Sequence, residues 1–93
     1  ETIPTIYDDI IMHQSPTIYE VWKNGKVGYY NGDSKLVFEP RYDEFKMVNL
    51  DYRNGCALKL NGKWQLYDTY SPKKLVEGGA NSIDELIELW LNR

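Results

Sequence analysis

The sequence predicts a mainly β domain, α+β by strict class, built from two antiparallel β-hairpin repeat units with short extra strands and a C-terminal capping α-helix. Three observations carry that reading. An Asn-Gly turn between apolar-alternating runs occurs twice, eight Tyr, three Trp and two Phe crowd 93 residues, and helical spacing emerges only at the end of the chain. Aromatic residues favour pleated, half-buried surfaces, so the surplus points to strands.

The repeat comes from self-comparison. Val21-Trp22-Lys23-Asn24-Gly25-Lys26-Val27-Gly28-Tyr29-Tyr30 lies over Leu58-Lys59-Leu60-Asn61-Gly62-Lys63-Trp64-Gln65-Leu66-Tyr67 at an offset of 37. An apolar-acid-acid-apolar order recurs as Tyr7-Asp8-Asp9-Ile10, Tyr42-Asp43-Glu44-Phe45 and Ile83-Asp84-Glu85-Leu86, and Lys35-Leu36-Val37-Phe38-Glu39 echoes Lys74-Leu75-Val76-Glu77. These set the repeats at approximately 7–41 and 42–82 within a single domain, 1–93.

Each Asn-Gly marks a two-residue hairpin loop, because both central positions of a type I′ turn need positive φ. Strands are expected at 17–23 and 26–31, and again at 56–60 and 63–68. In that register Trp22 faces Val27 and Lys59 faces Trp64, so an indole is kept on one face while its strand of origin changes. Tyr19, Val21 and Tyr30 share the opposite face of the first hairpin, as Cys56, Leu58, Leu60 and Tyr67 do in the second. Two partly apolar faces suit hairpins that stack on neighbours. Asn31-Gly32-Asp33-Ser34 and Thr69-Tyr70-Ser71-Pro72 read as turns, each returning to a short strand near Lys35 or Lys73, and Pro4 and Pro40 bend the chain into the Tyr-acid-acid segments.

After Gly78-Gly79, Ser82-Ile83-Asp84-Glu85 fits a capping box and opens a helix over 83–92. Ile83, Leu86, Ile87 and Trp90 form its apolar stripe, with Asp84, Glu85 and Glu88 left to water.

Composition removes several function classes. Fourteen acids against eleven bases give a formal charge of -3 and a pI near 5.0, the wrong sign for reading phosphate backbones, so nucleic acid is not an expected partner. No apolar run approaches the roughly 20 residues that cross a bilayer, and no signal peptide is evident, so membrane insertion is not expected. The single Cys56 forms no internal disulfide and fits a cytoplasmic setting, although the chain starts at Glu1 and its compartment stays open.

Chemistry-bearing residues are sparse. His13 and Cys56 have no shared local signature, and read best as a loop polar residue and a small apolar strand residue. Adjacent carboxylates on a strand point to opposite faces and do not converge on one ion. The glycines sit in turns and do not open a helix as a phosphate cradle requires. No catalytic, metal-ligating or cofactor-binding residue is expected, and no enzyme. The remaining candidates are aromatic: Trp22, Tyr29, Tyr30, Trp64 and Tyr67, either as a partner-binding face in excess of what a thin core buries or as the aromatic core of a β-rich domain too small for many aliphatic layers.

Over most of residues 2–68 these motifs resemble the WG-type (KWG) β-repeat family of bacterial proteins, whose units read approximately Asn-Gly-Lys-Trp-Gly-Tyr, a turn, an apolar strand, Pro, then Tyr-Asp. The signature is split here. Lys26-Val27-Gly28-Tyr29 keeps the Gly and loses the Trp, whereas Lys63-Trp64-Gln65-Leu66 keeps the Trp and loses the Gly. The resemblance implies a repeat for scaffolding or recognition that binds another protein, or the remainder of a longer repeat protein, through an aromatic face or an open strand edge. Glycan or cell-wall binding by Trp and Tyr stacking is the alternative.

Overall fold

A computed structural model describes residues 3–14, 17–50 and 53–92. The mainly β expectation is met by seven strands and one helix. They are β1 (Asp9–His13), β2 (Ile18–Lys23), β3 (Lys26–Tyr30), β4 (Leu36–Tyr42), β5 (Glu44–Asn49), β6 (Asn54–Leu60), β7 (Lys63–Tyr67) and α1 (Ile83–Leu91). They form a four-stranded antiparallel sheet, β1-β2-β3-β4, and a three-stranded one, β5-β6-β7.

Both hairpins close where the sequence placed them. Asn24 and Gly25 have φ of 54° and 77°, Asn61 and Gly62 of 54° and 81°, the left-handed pair that a two-residue loop demands. Trp22 pairs with Val27 and Lys59 with Trp64. The strand added in front of each hairpin repeats too: Asp9 pairs with Trp22 as Glu44 pairs with Lys59. We call β1–β4 unit 1 and β5–β7 with its following segment unit 2.

Each hairpin has a front, carrying Ile18, Trp22, Val27 and Tyr29 in unit 1 and Ala57, Lys59, Trp64 and Leu66 in unit 2. Each also has a back, carrying Tyr19, Val21, Gly28 and Tyr30, or Cys56, Leu58, Gln65 and Tyr67. The front of unit 1 packs on the back of unit 2: Ile18, Val27, Tyr29, Phe38 and Tyr42 share one core with Cys56, Leu58 and Tyr67. The front of unit 2 forms a second core, in which Ala57, Trp64 and Leu66 meet Val76, Ala80, Leu86 and Trp90. The layers therefore run sheet, core, sheet, core, helix.

α1 begins as expected. Ser82 Oγ accepts from Glu85 N at 3.1 Å, whereas Glu85 Oε1 reaches back one residue further than a capping box requires, to Asn81 N at 2.7 Å. Leu86 and Trp90 are buried, with Ile83 and Ile87 packed beside them.

Two expectations change. No strand forms near Lys73, where only isolated bridges join Tyr67 to Lys74 and Trp64 to Ala80. The third acidic motif, Ile83-Asp84-Glu85-Leu86, is a helix turn and not a third copy of the Tyr-Asp segment. Its structural place belongs to Ala80-Asn81, since Ala80 pairs with Trp64 as Tyr42 pairs with Val27. The longer irregular route after Tyr67 delays the match by several residues.

Candidate functional site

The recurring Tyr-acid segment is structural. Asp8 N donates to Trp22 O and Asp43 N to Lys59 O, both at 2.8 Å, anchoring each unit's first strand to its hairpin. The carboxylates then cap the hairpin tips: Asp8 Oδ2 accepts from Asn24 N at 2.9 Å, and Asp43 accepts the corresponding backbone N–H of Asn61. Asp43 Oδ1 also takes the Lys26 ammonium of the preceding unit at 2.5 Å. Asn81 Oδ1 receives Lys63 Nζ at the same distance, so the latch between successive segments is repeated with an amide. The Lys26 ammonium holds the Asp43 carboxyl below its usual range. A paired tyrosine recurs as well: the Tyr7 and Tyr30 hydroxyls lie 2.7 Å apart, and Tyr42 hydrogen-bonds Tyr67, whose hydroxyl burial pushes up to about 12.

The split signature has a packing reason. At Gly28 a Cβ would lie 2.1 Å from Phe38 O and 2.7 Å from Glu39 O, because β4 bulges across the strand there; only glycine fits. In unit 2 the strand carries Gln65 and the crossing segment has Gly79, where a Cβ would stand 2.9 Å from the movable Gln65 Nε2 and 3.4 Å from Trp64 O, a milder crowding than at Gly28. The neighbouring pair is exchanged likewise. Small Val27 faces large Tyr42, and large Trp64 faces small Ala80.

The aromatic candidates are brought together, but mostly inside. Tyr29 is wholly buried, and Tyr30, Trp64 and Tyr67 are each 7% exposed, leaving Trp22 as the half-buried member. Of the two readings of the aromatic surplus, core filling describes most of these rings: Tyr29 and Tyr67 lie in the core between the units and Trp64 in the core under α1, while Tyr30 is buried on the back of unit 1. Tyr29 OH donates to Asp68 O at 2.7 Å across the units, and its ring meets Phe38 and Phe45 at centroid distances of 5.8 and 5.4 Å. Trp90 is buried as well, so no two indoles form an open stacking platform.

Sequence reasoning missed Glu20. It is 8% exposed, accepts from His13 Nε2 at 2.8 Å and from Trp22 Nε1, and so ties β1 to β2 beside the core between units. His13 is consequently an ordered strand residue rather than a loop residue, with its ring 5.6 Å from Phe45. The only available signal was its register opposite Ile18, with Glu20 two places along. This imidazole has no nucleophile within its hydrogen-bond set. Cys56 sits elsewhere, its Sγ 3.8 Å from Met47 Sδ, and burial pushes the thiol up to about 12, opposite to what a reactive thiolate needs. Among the described residues no cluster of His, Cys, Asp and Glu could hold a metal ion, and no helix is long and apolar enough to cross a membrane.

Exposed large apolar side chains occur on both units and on α1, where Leu60, Tyr70, Leu89 and Leu91 face solvent, but the longest run of them among the described residues lies on and just before β1 of unit 1. Ile6, Ile10, Ile11 and Met12 are 57, 42, 44 and 53% exposed. Ile10 and Met12 pair with Val21 and Tyr19, so they extend the back of unit 1, and β1 is also one of the two edge strands of its sheet. Their counterparts in unit 2, Phe45 and Met47, pair with Leu58 and Cys56 and are packed against unit 1. An open groove of about 320 Å³ beside the first hairpin tip continues this surface along Ile6, Tyr7, Lys23 and Pro40.

Comparison with protein-family models, with curated proteins and with solved structures gives no match to this chain.

Proposed function

We propose that this domain is a non-enzymatic recognition or scaffolding module of the WG β-repeat type, which binds another protein through the back of unit 1 and the adjoining free edge of β1. One observation supports it above the others: Ile10 and Met12 stand open to solvent at 42 and 53%, whereas the matching Phe45 and Met47 of unit 2 are partly buried and packed against the core between the units. An exposed apolar strand at a sheet edge is a liability unless something covers it, and strand addition or face packing are the two ways proteins do so. The five aromatic candidates act in this reading as the rigid support behind the surface, with Tyr30 reaching it through Tyr7.

Site-specific photocrosslinking in the source cells tests it. A crosslinker at position 12 should give discrete protein adducts that Ile10→Asp abolishes, and one at the exposed Glu77 should give none. Adducts from position 77 alone would remove the surface from consideration, and turnover lost on His13→Ala would remove the non-enzymatic reading.

A further inference from the structure

We infer that the back of unit 1 is a socket for the front of a further hairpin repeat of the same design, carried by a partner repeat. This rests on unit 1 being the contact surface, and it names the occupant. The warrant is inside the molecule, because unit 2 presents the same constellation already filled. Phe45, Met47, Cys56, Leu58 and Tyr67, with Tyr42 at the junction leading into β5, are packed under Ile18, Val27, Tyr29 and Phe38 of unit 1. The matching residues of unit 1 are Tyr7, Ile10, Met12, Tyr19, Val21 and Tyr30, held by the same strand register and the same tyrosine pair; Val21 and Tyr30 are already buried and form its floor, whereas Ile10 and Met12 are open and Tyr7 and Tyr19 half-buried.

The polar rim matches as well. Asp43 uses its carboxylate on its own hairpin tip and on Lys26 of the unit stacked above it. Asp8 caps its own tip in the same way, so its second oxygen faces the place where the lysine of an Asn-Gly-Lys tip would arrive. The required partner is therefore a hairpin with an aliphatic and aromatic front like Val27, Tyr29 and Phe38, and a lysine just after its turn.

A second copy of this chain cannot supply that front. In each copy the front of unit 1 is occupied by unit 2, and the front of unit 2 is closed by Leu86 and Trp90 of α1. The occupant is a different repeat, and the 93-residue chain by itself should remain monomeric.

The test is a three-unit protein with residues 1–41 placed directly ahead of residues 7–93, so that Arg41 is followed by Tyr7 as it normally is by Tyr42. In the 93-residue chain, hydrogen peroxide should oxidise Met12 faster than Met47. In the three-unit protein the inner Met12 should be protected to the level of Met47, about tenfold or more slower than before, with a higher unfolding midpoint. Ile10→Asp in the inner copy should cancel both gains, yet be tolerated in the parent chain.

An inner Met12 oxidised as fast as in the parent, or an added unit whose amides exchange as unfolded chain, overturns the socket. So does a 93-residue chain that dimerises in sedimentation and loses that on Ile10→Asp. Adducts from position 12 persisting in cells alongside any of these would retain the contact surface and discard only this occupant.

Discussion

Units 1 and 2 share strand order, hairpin loop, anchoring aspartate and paired tyrosines, yet on the same face Ile10 and Met12 of β1 are open where Phe45 and Met47 of β5 are partly buried, while Val21 and Tyr30 are as buried as Leu58 and Tyr67. The difference lies in position within the stack, because unit 2 sits between unit 1 and α1 while, among the described residues, unit 1 shares a core with another layer through its front. Equivalent residues should therefore differ in energetic weight according to what lies beyond them. That contrast can be measured directly.

The largest difference should come from the indoles. Trp64→Ala empties a buried site and should cost about 3–5 kcal/mol in urea unfolding, a large share of the ~5–15 kcal/mol typical of a domain. Trp22→Ala, at a half-buried position, should cost about half as much or less. Equal losses would mean that the two units are equally enclosed.

The exchanged pairs come next. Val27→Trp against an unaltered Tyr42 should overpack and destabilise by about 1–3 kcal/mol. Combined with Tyr42→Ala, the loss should fall short of the sum of the single changes by ~1 kcal/mol or more, because each relieves the other. Strict additivity would show that the two positions do not share one volume.

Phe45→Ala should then cost about 2 kcal/mol, whereas Ile10→Ala at the corresponding open place should cost about 0.5 kcal/mol or less. Thermal unfolding of the two variants side by side decides whether the back of unit 1 is as open as its exposure indicates.

The smallest effect is the latch at the tips. Since Lys26 lowers the Asp43 carboxyl below its unfolded value of 3.8, its contribution is present above that pH and fades as pH falls through the lower folded value. Asp43→Asn should unfold at nearly the parent temperature at pH 7, as Asn81 accepts from Lys63 in the same way, and should lack this acid-side decline. A steeper acid-side decline in the variant would contradict the assignment.

Local features were legible in the sequence. Asn24-Gly25 and Asn61-Gly62 fix their turns through backbone sterics alone, pairing register follows from a two-residue loop, and Ser82 opens α1 by a contact within one turn. Non-local features were not. Burial of Tyr29 and Tyr67 depends on stacking between units, and that of Trp64 on the returning segment and α1, neither of which strand periodicity encodes. Asn81 takes the acid's place because an irregular segment of unpredictable length precedes it, and the network around Glu20 needs the β1–β2 register before it becomes visible. The open surface was also hidden. Ile10 and Met12 look like any alternating strand until their unit 2 counterparts are seen covered.

The traded residues around the hairpins have a wider consequence for how such chains are recognised. A comparison that scores one position at a time meets two unlike copies, Val27-Gly28 in the first and Trp64-Gln65 in the second. Three-dimensional space instead holds the same two accommodations made from opposite sides: bulk opposite a small partner, and a bare backbone where two segments cross. Relatives of this domain would then be found more readily by asking whether facing positions sum to a constant volume than by asking whether either position keeps its letter.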